Sequence, residues 1–274
     1  MVRALKPRTP PFSAQAFFER FPLFTFEAFR EAHASTGADV ATTSSLIAYH
    51  LAQKHVSRLR RGLFVTASGT CDPWVLAALL TPDGVIAYDG ALAFHELMPF
   101  DLSVSLLSRS RLRPWVYDDI GFRAVQPPRS LKKSRALTSL VERHLIGGHQ
   151  VRVTSVERTL VDVLDRLDLI DDAWTIVTAF RAARRLDVAT LVDHALALNH
   201  AITAARLGSV LEELGLGSRA QLQALEDASP TSPDYFDATT RQEQNAFGPR
   251  WNLVVPIWLI TGLRGQLTRA PRRP

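Results

Sequence analysis

The sequence predicts an α+β chain: an N-terminal winged helix-turn-helix followed by a larger mixed α/β C-terminal domain. Three observations predict it. Two helical patterns separated by Gly37 run into a short arginine-rich pair of alternating segments between Val56 and Thr66. Strand-like and helix-like patterns then alternate from Pro73 to about Leu167. Charge is unevenly divided, because residues 1–70 carry 9 Lys+Arg against 4 Asp+Glu, a net of +5, whereas residues 151–235 carry 8 against 13, a net of −5. That asymmetry is expected when one domain meets a polyanion and another does not. The 274 residues have room for about two domains. The expected division is a disordered tail at 1–11, the winged helix at 12–70, the C-terminal domain at 71–260 and a second tail at 261–274.

Each front element has a local cause. Thr25 is placed to cap a helix whose first turn carries Glu27, with Phe26, Phe29 and Ala32 or His33 at helical spacing before Gly37 stops it. Thr42 and Thr43 are the expected caps of the second helix, whose Ile47, Leu51 and His55 would form the inward stripe. The face left over holds Thr43, Ser44, Ser45, Tyr49, Gln53 and Lys54, hydroxyl and amide groups suited to base edges and phosphates. From Val56 the pattern alternates, with Val56, Arg58 and Arg60 on one face and Ser57 and Leu59 on the other. Gly62 permits the turn into "LFVT", and Arg58, Arg60 and Arg61 crowd the tip. In a winged helix those residues would contact double-stranded DNA, the helix in the major groove and the basic hairpin on phosphates. The competing reading is an interaction module with a solvated arginine face.

The later elements follow the same reasoning. "PWVLAALL" reads as a helix with Asp72 before Pro73, "GVIAY" as a buried strand, and "DGALAFHELM" as a helix capped by Asp89. Strands are expected at "LSVSLLS", "GFRAVQ" and Val151–Val153, and a helix opens at Ser155 in "TSVERTLVDVLDRL". Further helices fit 172–185, 187–198 and 200–214, and "RWNLVVPIWL" reads as a final strand closing a sheet begun earlier. Residues 109–143 hold 9 basic groups against 3 acidic ones. A second basic surface is expected there from Arg109, Arg111, Arg113, Arg129, Lys132, Lys133 and Arg135.

Composition narrows the function classes. Hydrophobic residues make up 46% and charged residues 22%, ordinary for a globular protein. With Cys71 alone, an intramolecular disulfide and a Cys-rich zinc module are excluded, and a reducing cytoplasm is the expected setting. No signal-peptide run opens the chain, and "LVVPIWLITGL" is broken by Pro256 and is too short to span a membrane.

Catalytic patterns are sparse, so no enzyme, metal or cofactor is expected. His95 and Glu96 lack a second histidine four residues on, "GGH" at 147–149 fits a hairpin turn, and His194 and His200 have no ligand-spaced neighbour. Glu157, Asp162 and Asp165 read as the wet side of a helix, with Arg158 and Asp162 as an i,i+4 ion pair. No Glu-x-Asp or Glu-x-Lys strand is present, which weighs against a nuclease-like domain fused to the winged helix.

The chain resembles the AbiE-family antitoxins, regulators of type IV toxin–antitoxin and abortive-phage-infection systems. "LRRGLFV", "GVIAYDGALAFHEL" and "VRVTSVERTLVDVL" carry the resemblance in order over most of residues 12–215, and "RWNLVV" also fits. The link before "RLRRG" is shorter, and "ITGLRGQLTRAPRRP" has no counterpart. The resemblance implies a DNA-binding repressor acting on promoter inverted repeats and a cognate nucleotidyltransferase-like toxin as partner. A solitary winged-helix regulator without a toxin is the alternative.

Overall fold

The computed structural model describes residues 12–67, 69, 71–131, 135–170 and 172–266. The chain mixes helices and strands and divides into two compact units, Met1–Pro82 with Leu145–Val151, and Asp83–His144 with Arg152–Pro274. The expected tail at 1–11 lies outside the described residues.

In the first unit the chain forms α1 (Ala14–Arg20), β1 (Leu23–Thr25), α2 (Phe26–Ala34), α3 (Val40–Ala52), β2 (Val56–Arg60), β3 (Leu63–Thr66) and α4 (Pro73–Leu80). The strands make an antiparallel sheet in the order β1-β3-β2. Phe17, Phe24, Phe29 and Phe64 build its core with Ile47 and Val56. Phe17 meets Phe24 and Phe29 edge-on at 5.3 and 5.1 Å, an arrangement that aromatic quadrupoles favour. α1 and β1 lay beyond the sequence reading, since seven and three residues are too short to display a period.

Thr25 caps α2 as expected, its hydroxyl accepting the Ala28 N–H at 3.2 Å. The start of α3 differs. Asp39, not Thr42 or Thr43, is its cap, accepting the Thr42 N–H at 2.7 Å. The bonds from Thr42 hold the Asp39 carboxyl below the ordinary carboxylate range. The first unit also extends past residue 70, because α4 packs against β1.

The second unit contains β4 (Val85–Ala87), α5 (Tyr88–Phe94), β5 (Ser103–Leu107), β6 (Trp115–Tyr117), β7 (Ile120–Val125), β8 (Val141–Ile146), β9 (His149–Thr154) and α6 (Val156–Asp165). It continues with α7 (Trp174–Ala182), α8 (Val188–Leu198), α9 (Ala201–Glu213), α10 (Arg219–Asp227), β10 (Asp234–Tyr235), β11 (Asn245–Gly248), β12 (Leu253–Pro256) and α11 (Ile257–Leu263). The larger sheet runs β6-β7-β5-β4-β9-β8, and the tip of its β8–β9 hairpin groups with the first unit. α6 packs against α5, α7, α8 and α9, so the helix opened by Ser155 is the axis of this unit.

Four expectations are corrected here. Asp89 does not cap α5 but lies one residue inside it, buried, accepting from Gly90 N at 2.8 Å, Ser105 N at 3.1 Å and Ser103 Oγ at 2.7 Å. A carboxylate with those partners is worth more as a cross-link between α5 and β5 than as a cap. The expected final strand is half right: β12 stops at Pro256 and the chain turns into α11. Residues 261–263, expected in a tail, complete that helix, and β12 is the centre of a separate sheet, β10-β12-β11.

The fourth correction concerns α6. Arg158 and Asp162 do pair, Nε to Oδ2 at 3.0 Å, but their side chains are 0% and 1% exposed rather than on a wet face. Nη1 and Nη2 of Arg158 donate to the carbonyls of Ser139 and Ala136 at 2.6 and 2.7 Å. His194 of α8 meets the other Asp162 oxygen at 2.8 Å. Burial pushes the Asp162 carboxyl up, and Arg158 and His194 outweigh it, leaving the group below its ordinary value.

Candidate nucleic-acid interface

The residues expected to contact DNA all belong to the first unit, on α3, the turn after it and the β2–β3 hairpin. α3 packs against α2 and β2, and Ile47 is its buried anchor. Thr43 is withdrawn from the expected set. It is fully buried, its hydroxyl donating to the Asp39 carbonyl at 2.9 Å and lying 3.0 Å from His33 Nδ1, so it fastens α3 to α2.

Ser44 and Ser45 are exposed as expected, but their hydroxyls donate back to the carbonyls of Val40 and Ala41 at 2.8 and 3.0 Å. Their remaining lone pairs can accept, and their donors are engaged. Tyr49 is 56% exposed, with its ring edge-on to His50. Gln53 and Lys54 are exposed beyond the last turn, and Lys54 takes a left-handed φ of 58° that ends the helix.

The helix stops at Ala52, so His55 does not join the inward stripe with Ile47 and Leu51. It is exposed instead, with its Nδ1 at 3.2 Å from Nδ1 of His50. That separation suits one ring donating to the other, and burial together with the neighbouring His55 lowers the His50 pKa.

At the hairpin, Arg58 and Arg61 are exposed and Arg60 is half-buried. A register shift between Arg58 and Arg60 breaks the simple alternation, pairing Arg58 with Phe64 and Arg60 with Leu63. Arg58 therefore lies over the Phe64 ring at 5.6 Å, covering apolar surface with its stem while its charge stays in water. Arg58 and Arg61 also line an open hollow of about 600 Å³ with Thr25, Phe26 and Glu27 at the first turn of α2.

The sequence reading missed Val40, 55% exposed at the first position of α3, because its expected cap lay three residues too late. The second expected basic set is divided. Arg109, Arg111, Arg113, Arg129 and Arg135 are exposed residues of the second unit, whereas Lys132 and Lys133 lie outside the described residues.

No described helix is long and apolar enough to cross a membrane. No family model matches the sequence, and no curated protein matches it. Among solved structures, the chain is similar to the crystal structure of the RV2827C protein from Mycobacterium tuberculosis, with a TM-score of 0.53 and 17% identity over 90% of this chain and 91% of that one. At that identity the likeness is one of fold, and it extends over nearly the whole of both chains.

Proposed function

We propose that the first unit is a winged helix-turn-helix that binds double-stranded DNA, and that the protein is a promoter-binding regulator of the AbiE antitoxin type. The observation that carries the reading is the arrangement of α3 and the β2–β3 hairpin. A helix with a solvent-exposed polar face packs against a strand whose hairpin presents Arg58 and Arg61 to water. The element order helix, strand, helix, helix, strand, strand and the sheet order β1-β3-β2 support the winged-helix assignment. The +5 balance of residues 1–70 supports a polyanionic partner.

In this reading Lys54, Arg58, Arg60 and Arg61 neutralise phosphates, and Ser44, Ser45, Tyr49 and Gln53 meet base edges. Each phosphate contact contributes about 0.9 to the slope of log affinity against log salt, and each good bidentate base contact about 1–3 kcal/mol of discrimination. Arg60→Ala is expected to weaken all duplexes about equally and to lower the salt slope by roughly one. Gln53→Ala is expected to flatten the preference for promoter inverted repeats over random DNA. Titrations of labelled duplexes at several salt concentrations measure both, and unchanged curves for both variants would remove this face from the reading. The antitoxin half has its own test. The adjacent reading frame is expected to encode a nucleotidyltransferase-like toxin whose growth arrest this protein relieves on co-expression in the cytoplasm.

A further inference from the structure

A cavity of about 360 Å³ opens in the second unit, apart from α3 and the β2–β3 hairpin; of the described members of the second basic set, Arg135 lines it. Ser130, Arg135 and Ser139 line one side, and Thr190, Asp193 and His194, a turn apart on one face of α8, line the other. Its size falls at the lower end of small-molecule sites.

The walls are built rather than incidental. Asp162 accepts from His194 Nε2 at 2.8 Å, which fixes the ring of this lining residue and leaves Nδ1 as its other polar atom. Arg158, bonded to the same carboxylate, also holds the carbonyls of Ala136 and Ser139, so it fixes the segment that carries two lining residues. Withdrawing Arg158, Asp162 and His194 from water is expensive, and replacing such a network with apolar side chains is often neutral or stabilising. A rigid polar layer directly behind a cavity is the support that a binding site requires.

The lining charges indicate what fits. Arg135 and Asp193 are both exposed, and among the described residues neither forms an ion pair with the chain. One cavity therefore offers a guanidinium, a carboxylate, a Ser139 hydroxyl and an imidazole nitrogen. A phosphate ester would meet Arg135 but be repelled by Asp193, and a polyamine would meet Asp193 but be repelled by Arg135. A molecule with both charges satisfies both walls.

We propose that this cavity binds a free α-amino acid, its carboxylate on Arg135 and its ammonium on Asp193, with His194 Nδ1 and the Ser139 hydroxyl completing the contacts. The inference is independent of DNA binding. Isothermal titration of the full chain with each of the twenty α-amino acids, and with ribose 5-phosphate and putrescine as singly signed controls, tests it. At least one amino acid is expected to bind and the controls are not. Arg135→Ala and Asp193→Asn, both surface changes, are each expected to weaken that binding by roughly ten- to a hundredfold, the size of a lost charge-assisted bond. The proposal is overturned if no amino acid binds the native chain, if neither variant alters the affinity, or if ribose 5-phosphate binds and Asp193→Asn tightens it.

Discussion

Arg158 and Asp162 show how far one residue's surroundings can alter the meaning of a sequence pattern. Their i,i+4 spacing on α6 correctly indicates a pair, and on an exposed helix such a pair contributes about 0.3–0.5 kcal/mol. Here both side chains are buried, and removing Arg158 leaves the Asp162 carboxylate with only its contact to His194. Arg158→Met is expected to destabilise the fold by about 3–5 kcal/mol. Adding Asp162→Asn should return part of that loss, since the stranded carboxylate is the costly element. Urea unfolding of the single and double variants measures this, and equal midpoints would contradict it. The Asp162 carboxyl, held below its ordinary range, has a defined pH sense. Its contribution is fully present above the unfolded value near 3.9 and is lost only as pH falls through the lower folded value.

At the scale of elements, His50 and His149 of the first unit are expected to govern its response to acid. His149, on the tip of the β8–β9 hairpin, has its pKa lowered by burial, although a bond to the Leu23 main-chain carbonyl opposes the shift. His50, near the end of α3, is lowered by burial and by His55. A base whose folded pKa is depressed stabilises the fold above its unfolded value near 6.5, and that contribution is lost as pH falls through the folded value. Between pH 8 and pH 5 the native chain is therefore expected to lose stability below about pH 6.5, and the His50→Gln/His149→Gln variant to show a flatter profile. Thermal unfolding across that range is the measurement, and parallel profiles would exclude these two rings as the cause. The same elements show why local signals sometimes mislead. Asp39 prevails over Thr42 and Thr43 as the α3 cap because Thr43 is committed to His33 across the α2–α3 packing, a contact ten residues away in sequence.

For the whole molecule, the division of charge bears on whether the proposed DNA footprint would reach beyond the first unit. Arg111 and Arg113 are exposed in the second unit. If they extend the footprint along flanking phosphates, Arg111→Ala/Arg113→Ala should lower the salt slope of DNA binding by about two units on long duplexes. An unchanged slope would remove these two arginines from the footprint. The sequence determined those features that depend on neighbours within a turn or two: the Thr25, Asp72 and Ser155 caps, the Gly37 and Gly62 turns, the helices α6 to α9 and the signed charge blocks. These follow from backbone hydrogen bonding and side-chain period, which operate over short distances along the chain. Tertiary structure alone decided that Thr43 and Asp162 are interior, that Asp89 links a helix to a strand, and that His194 and Arg135 share a cavity across 59 positions of sequence. The physical reason is that a polar side chain's role depends on whether water or a distant partner satisfies it, and burial is a property of the packed chain rather than of any segment.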